Sequence, residues 1–107
     1  MSALTPTVPL GSIDQIPLGE GRVFRLDSRD IAVFRCRNGE VHATDATCPH
    51  RGGPLADGLV GNHSVICPLH GFAFDLRTGE AAGQACPRLT THAVTVSPSG
   101  TLSIGLP

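Results

Sequence analysis

Two short loops constrain this chain more than anything else in it. Cys48-Pro49-His50-Arg51-Gly52-Gly53-Pro54-Leu55 is followed, with sixteen residues between His50 and Cys67, by Cys67-Pro68-Leu69-His70-Gly71. Each loop offers one thiolate and one imidazole at close spacing, C-x-H in the first and C-x2-H in the second. Each is rich in Gly and Pro. A fold that uses these residues must bring two loops, far apart in sequence, to one place.

The rest of the composition sets the scale. A chain of 107 residues makes one domain with room for one modest core. Hydrophobic residues make up 40% and charged residues 16%, a globular rather than a disordered balance. With four Phe and no Tyr or Trp, a core of Val, Ile, Leu and Ala is marginal at this length. A metal group joining distant loops would stabilise it. The formal net charge is -1, all eight basic residues are Arg, and no basic run occurs, so a nucleic-acid footprint is not expected. No apolar stretch approaches the ~20 residues that span a bilayer. The N-terminus has neither a positive n-region nor an apolar h-region. The expectation is a cytoplasmic protein without a membrane partner. Two of the four Cys lie in the loops; Cys36 and Cys86 read as reduced bystanders.

The chain reads as all-β. Residues 1–7 look like a flexible tail, and Val8 to Leu10 like an edge strand. Ser12 can cap a single helical turn that Pro17 ends. Arg22 to Leu26 alternates as a half-buried strand does. Ile31 to Arg37 is apolar first and alternating at its end. Asn38-Gly39 is a strong hairpin signal, and Glu40 to Asp45 returns. His63 to Cys67 and Phe72 to Asp75 are short strands around the second loop. Residues 81–90 look irregular. Ala93 to Ser97 and Thr101 to Ile104 form a closing hairpin. Many short strands without a long helical period indicate small antiparallel sheets in a sandwich or barrel-like domain spanning 1–107. Within it, about 46–75 reads as a cluster-binding subdomain inserted on a β scaffold.

A Cys2His2 set is a legitimate zinc site. Zinc fingers, however, usually pair Cys with Cys and His with His at wider spacing. The mixed pairs Cys48/His50 and Cys67/His70 suit a [2Fe–2S] centre, with the thiolates on one iron and the imidazoles on the other. Glycines let backbone approach the cluster, and Pro49, Pro54 and Pro68 stiffen the loops. His42, His63 and His92 read as ordinary surface or strand residues. Phe72 and Phe74 read as packing beneath the cluster.

The two motifs resemble the Rieske family patterns Cys-x-His-Arg-Gly-x-Pro-Leu and Cys-Pro-x-His-Gly. The resemblance implies three small antiparallel sheets, a Rieske-type [2Fe–2S] cluster, one per chain, and Cys48, His50, Cys67 and His70 as its ligands. Respiratory members carry one more Cys in each loop. Gly53 and Leu69 stand in those places, so the disulfide of that branch is excluded. The same branch carries Ser and Tyr after the second His, where Phe72 and Phe74 stand. Fewer donors imply a potential toward the low end of the ~ −150 to +300 mV Rieske range. Reduction should ease protonation of His50 or His70, so that the potential falls as pH rises.

The chain is too short to include the mononuclear-iron domain of a terminal oxygenase. What remains is an electron-transfer component, not a stand-alone catalyst. The runs around Cys48, Gly58-Leu59-Val60-Gly61 and Cys86-Pro87-Arg88-Leu89 look most like the small subunit of assimilatory NAD(P)H nitrite reductase. A ferredoxin component of an aromatic-ring dioxygenase system is the alternative, and a cluster-stabilised interaction or redox-sensing module is a third. A flavoprotein reductase or a large reductase subunit is the expected donor or acceptor.

Overall fold

The run Ile31-Ala32-Val33-Phe34 is buried at every position, and this organises the molecule. A computed structural model describes residues 7–26, 29–47, 54–68, 71–82 and 87–105. Among the described residues there are ten strands and no α-helix. They are β1 (Thr7–Ser12), β2 (Glu20–Leu26), β3 (Arg29–Arg35), β4 (Val41–Asp45), β5 (Leu59–Val60), β6 (Ser64–Ile66), β7 (Ala73–Asp75), β8 (Ala81–Ala82), β9 (Thr91–Val96) and β10 (Thr101–Gly105). Residues 1–6 of the expected tail lie outside the described residues, and Thr7 already opens β1.

The strands form a six-stranded sheet in the order β1-β10-β9-β4-β3-β2 and a four-stranded sheet in the order β5-β6-β7-β8. Every pairing is antiparallel. The larger sheet curls into a nearly closed, barrel-like shape. Three sheets become two because β4 pairs with β9, Ala43 opposite His92 and Thr44 opposite Thr91. That short ladder joins the β2–β3–β4 meander to the terminal hairpin.

Strand β3 is covered on both sides, which is why its sequence is a continuous apolar run rather than an alternating one. Ile31 and Val33 join Ile16, Ala43, Leu102 and Ile104 in one core, built from the six-stranded sheet. Ala32 and Phe34 join Cys36, Leu55, Val65, Cys67, Phe74 and Leu76 in a second core shared with the smaller sheet. The described residues thus form two small cores, with β3 as the wall between them.

Local signals act as expected. Ser12 Oγ accepts from the Asp14 N–H at 3.0 Å and caps the 3-10 turn Ile13–Gln15. The Asn38-Gly39 hairpin forms, in a three-residue version. Gly39 N–H donates to the Cys36 carbonyl at 2.9 Å, with Gly39 at φ +91 closing the turn. Three elements escaped the sequence pattern: the 3-10 turn Leu55–Asp57, β5, and β8 within the stretch expected to be irregular. A two-residue strand carries no readable period.

Candidate metal centre

The first loop is closed at its base by backbone. Thr47 and Pro54 form an isolated antiparallel bridge. Leu55 N–H donates to the Ala46 carbonyl at 3.1 Å. Residues 48–53, with the expected ligands Cys48 and His50, lie outside the described residues. Arg51 and Gly53 lie outside them too.

The second loop is closed in the same way. It leaves β6 at Cys67, whose N–H donates to the Phe72 carbonyl at 2.7 Å. Gly71 N–H donates back to the Cys67 carbonyl at 3.2 Å. Cys67 is 2% exposed. The fourth expected ligand, His70, lies outside the described residues, as does Leu69.

Packing brings the two stems together. Leu55, at the end of the first loop, shares a core with Val65, Cys67, Phe74 and Leu76. Leu59 of β5 pairs with Ile66 of β6, one residue before Cys67. Phe74 is fully buried, and Phe72 packs against the same core. The first loop runs from the end of β4 to the 3-10 turn before β5 and the second from β6 to β7, and both stems rest on a shared apolar bed. This arrangement fits a group gripped from two sides. Thiolate and imidazole donors on such stems suit the ligand chemistry of a [2Fe–2S] centre. Of the four expected ligands, Cys67 alone is among the described residues. No three His, Cys, Asp or Glu of the described residues cluster closely enough to hold a metal by themselves.

The remaining polar groups are tied into the scaffold. His42 Nε2–H donates to Glu40 Oε1 at 2.9 Å, and this bond, against a smaller opposing effect of burial, holds the Glu40 carboxyl below its ordinary value. Burial pushes the Asp75 carboxyl up, but hydrogen bonds from the Arg77 backbone and guanidinium outweigh it and hold it below the usual range. The His63 carbonyl accepts from Leu76 N–H at 2.8 Å. Cys36 is fully buried and forms no disulfide. Burial first, and the Glu40 carboxylate second, push its thiol up to about 11. Cys86 lies outside the described residues.

His92 is a strand residue of β9, one of the two places the sequence reading allowed; its side chain is 2% exposed, and Nε2–H donates to Asp45 Oδ1 at 2.8 Å. No sequence signal marks this pair, because it arises from the register of β4 on β9. Beside it, Arg29, Asp30, Asp45 and Thr47 line a cleft of about 260 Å³ at the stem of the first loop.

Comparison with known proteins agrees with this geometry. The family model of the Rieske [2Fe–2S] domain matches residues 7–95. The chain is 37% identical over 84 residues to the ferredoxin component of the p-cumate 2,3-dioxygenase system of Pseudomonas putida, covering 78% of this chain and 71% of that one. It is 45% identical over 51 residues, 48% of its length, to a 4beta-methylsterol monooxygenase of Methylococcus capsulatus, and spans only 14% of that longer protein. Among solved structures, the ferredoxin of carbazole 1,9a-dioxygenase from Nocardioides aromaticivorans superposes with a TM-score of 0.83 at 25% identity, over 94% of this chain and 98% of that one. A Mycobacterium tuberculosis chain assigned as an NADH-dependent nitrite reductase small subunit superposes with a TM-score of 0.87 over 98% of both chains; at 23% identity the likeness is one of fold. No helix among the described residues is long and apolar enough to cross a membrane.

Proposed function

The chain belongs to the Rieske [2Fe–2S] family and is an electron-transfer protein carrying that family's cluster, and from this premise we propose that Cys48 and Cys67 hold one iron and His50 and His70 the other. When bound, the cluster supplies one-electron chemistry. The observation that carries the reading is the pair of backbone-closed loop stems packed on one shared core, with Cys67 buried at the root of the second. Residues of about 46–75 act as the cluster-binding subdomain, and β8 extends its sheet. Phe72 and Phe74 keep water from the Cys67 side and offer no hydroxyl to charge added on reduction. This supports a low potential for the family.

The relatives support a reading of the partners. The chain passes single electrons between a flavoprotein reductase and a larger oxygenase, as a ferredoxin component of a ring-hydroxylating system. Identity of 37% across most of both chains supports this setting. The second setting is the small subunit of an NAD(P)H nitrite reductase. The runs around Cys48 and Cys86 favour it. A cytoplasmic location suits either.

The test of the ligand set is spectroscopic. Anaerobically prepared wild type is expected to be coloured and to show a Rieske EPR signal after dithionite. Cys48→Ser, His50→Ala, Cys67→Ser and His70→Ala each lose it, while Cys36→Ser and Cys86→Ser keep it. A colourless wild type containing zinc refutes the assignment. Turnover with a separate reductase and oxygenase identifies the first setting. Stable co-purification with a flavin-containing reductase subunit identifies the second.

A further inference from the structure

We infer that His92 is a positioning residue for the first ligand loop, acting through Asp45. The inference rests on the reading of Cys48 and His50 as ligands. His92 stands on β9 opposite Ala43 of β4. Its side chain is 2% exposed, and its Nε2–H reaches Asp45 Oδ1 at 2.8 Å across 47 residues of sequence. Asp45 ends β4 three residues before Cys48. Its own N–H donates to the Thr90 carbonyl at 2.9 Å, and its carbonyl accepts from the Thr44 hydroxyl at 2.8 Å. Main chain and carboxylate are both tied toward β9.

The tie continues to the mouth of the loop. Ala46 N–H donates to the Asp30 carbonyl at 3.1 Å, and the Ala46 carbonyl accepts Leu55 N–H. Thr47 then bridges to Pro54. Every step from His92 to the base of residues 48–53 is a hydrogen bond or a peptide bond.

The alternative holder of the carboxylate is Arg29, 4.0 Å from the same Oδ1 and 43% exposed. An exposed ion pair at that distance contributes little, because water screens it. The His92 bond is shorter, at 2.8 Å, and its donor is shielded from water, so it outweighs that pair. His92 therefore sets the carboxylate's place. Without it, Asp45 is free to turn into the adjoining cleft, which Asp30 and Arg29 also line, and the loop stem loses one of its anchors.

Two substitutions separate hydrogen bond from volume. His92→Phe keeps a ring and removes the donor. His92→Gln keeps an N–H near the Nε2 position. Iron loss from the holoprotein to a chelator is expected to be roughly tenfold faster in H92F, and its dithionite-reduced EPR lines to shift or broaden, while H92Q matches wild type. Should H92F fail to fold, Asp45→Leu removes the acceptor on the exposed side and is expected to show the same acceleration. Wild-type chelation kinetics and EPR in the folded donor- or acceptor-less variant overturn the inference, whatever its melting temperature. An H92Q protein as impaired as H92F does so too. If Cys67→Ser keeps its cluster, the ligand reading fails and this inference with it. If C67S loses the cluster while H92F is indistinguishable from wild type, only the positioning role falls.

Discussion

Gly58 and Ile66 meet backbone to backbone: a Cβ on Gly58 would run into the Ile66 carbonyl oxygen. This contact seats the exit of the first loop against the strand that leads into Cys67. Nothing but hydrogen fits there. Gly58→Ala is expected to destabilise the protein by about 2–4 kcal/mol and to impair cluster binding, because the neighbour is rigid backbone. Gly39→Ala is the control. Nothing lies within 4 Å of its added Cβ, and the cost is that of a left-handed backbone at φ +91, roughly 1–2 kcal/mol. Urea unfolding that ranks Gly39→Ala as the worse of the two would contradict the close approach.

Phe74 is fully buried in the core that also holds Cys67. Phe74→Ala is expected to cost about 3–5 kcal/mol, the sum of lost transfer energy and a cavity. Phe74→Leu should cost much less, with the cluster retained. A near-neutral alanine variant in chemical denaturation would mean that this bed does not support the loops.

The Cys36 thiol gives a pH dependence of known sign. Its value is pushed up to about 11 from the ordinary 9.0, by burial first and Glu40 second. Between these values the native chain keeps a proton that the unfolded chain releases. The associated stability is whole below pH 9 and is lost as pH rises toward 11, by about 2–3 kcal/mol. Cys36→Ala lacks this component. The gap between wild type and variant should therefore narrow from pH 8 to pH 10.5 in denaturant titrations; a constant gap refutes it.

Removal of iron should divide the molecule. The core of Ile31, Val33, Ala43, Leu102 and Ile104 belongs to the six-stranded sheet and does not include the loops. The smaller sheet is built from strands of two or three residues, too short to stand without the loops they carry. Hydrogen exchange on chelator-treated protein is expected to show fast amides in β5–β8 and persistent protection in β3, β4 and β10. Uniform loss of protection would show a single cooperative unit.

The motifs around Cys48 and Cys67, the Ser12 cap and the Asn38-Gly39 hairpin were legible in the sequence. Each depends on neighbours within a few residues, so chain order alone carries it. Family membership follows from the same short-range spacing, and so does the all-β class. Burial of β3 on both faces, the two-residue strands β5 and β8, the Gly58–Ile66 contact and the His92–Asp45 bond were decided only by tertiary structure. They depend on which strands pair and in what register, across separations as long as 47 residues. Local pattern holds no information about that register, because either face of a strand can be hydrophobic and only packing selects its partner.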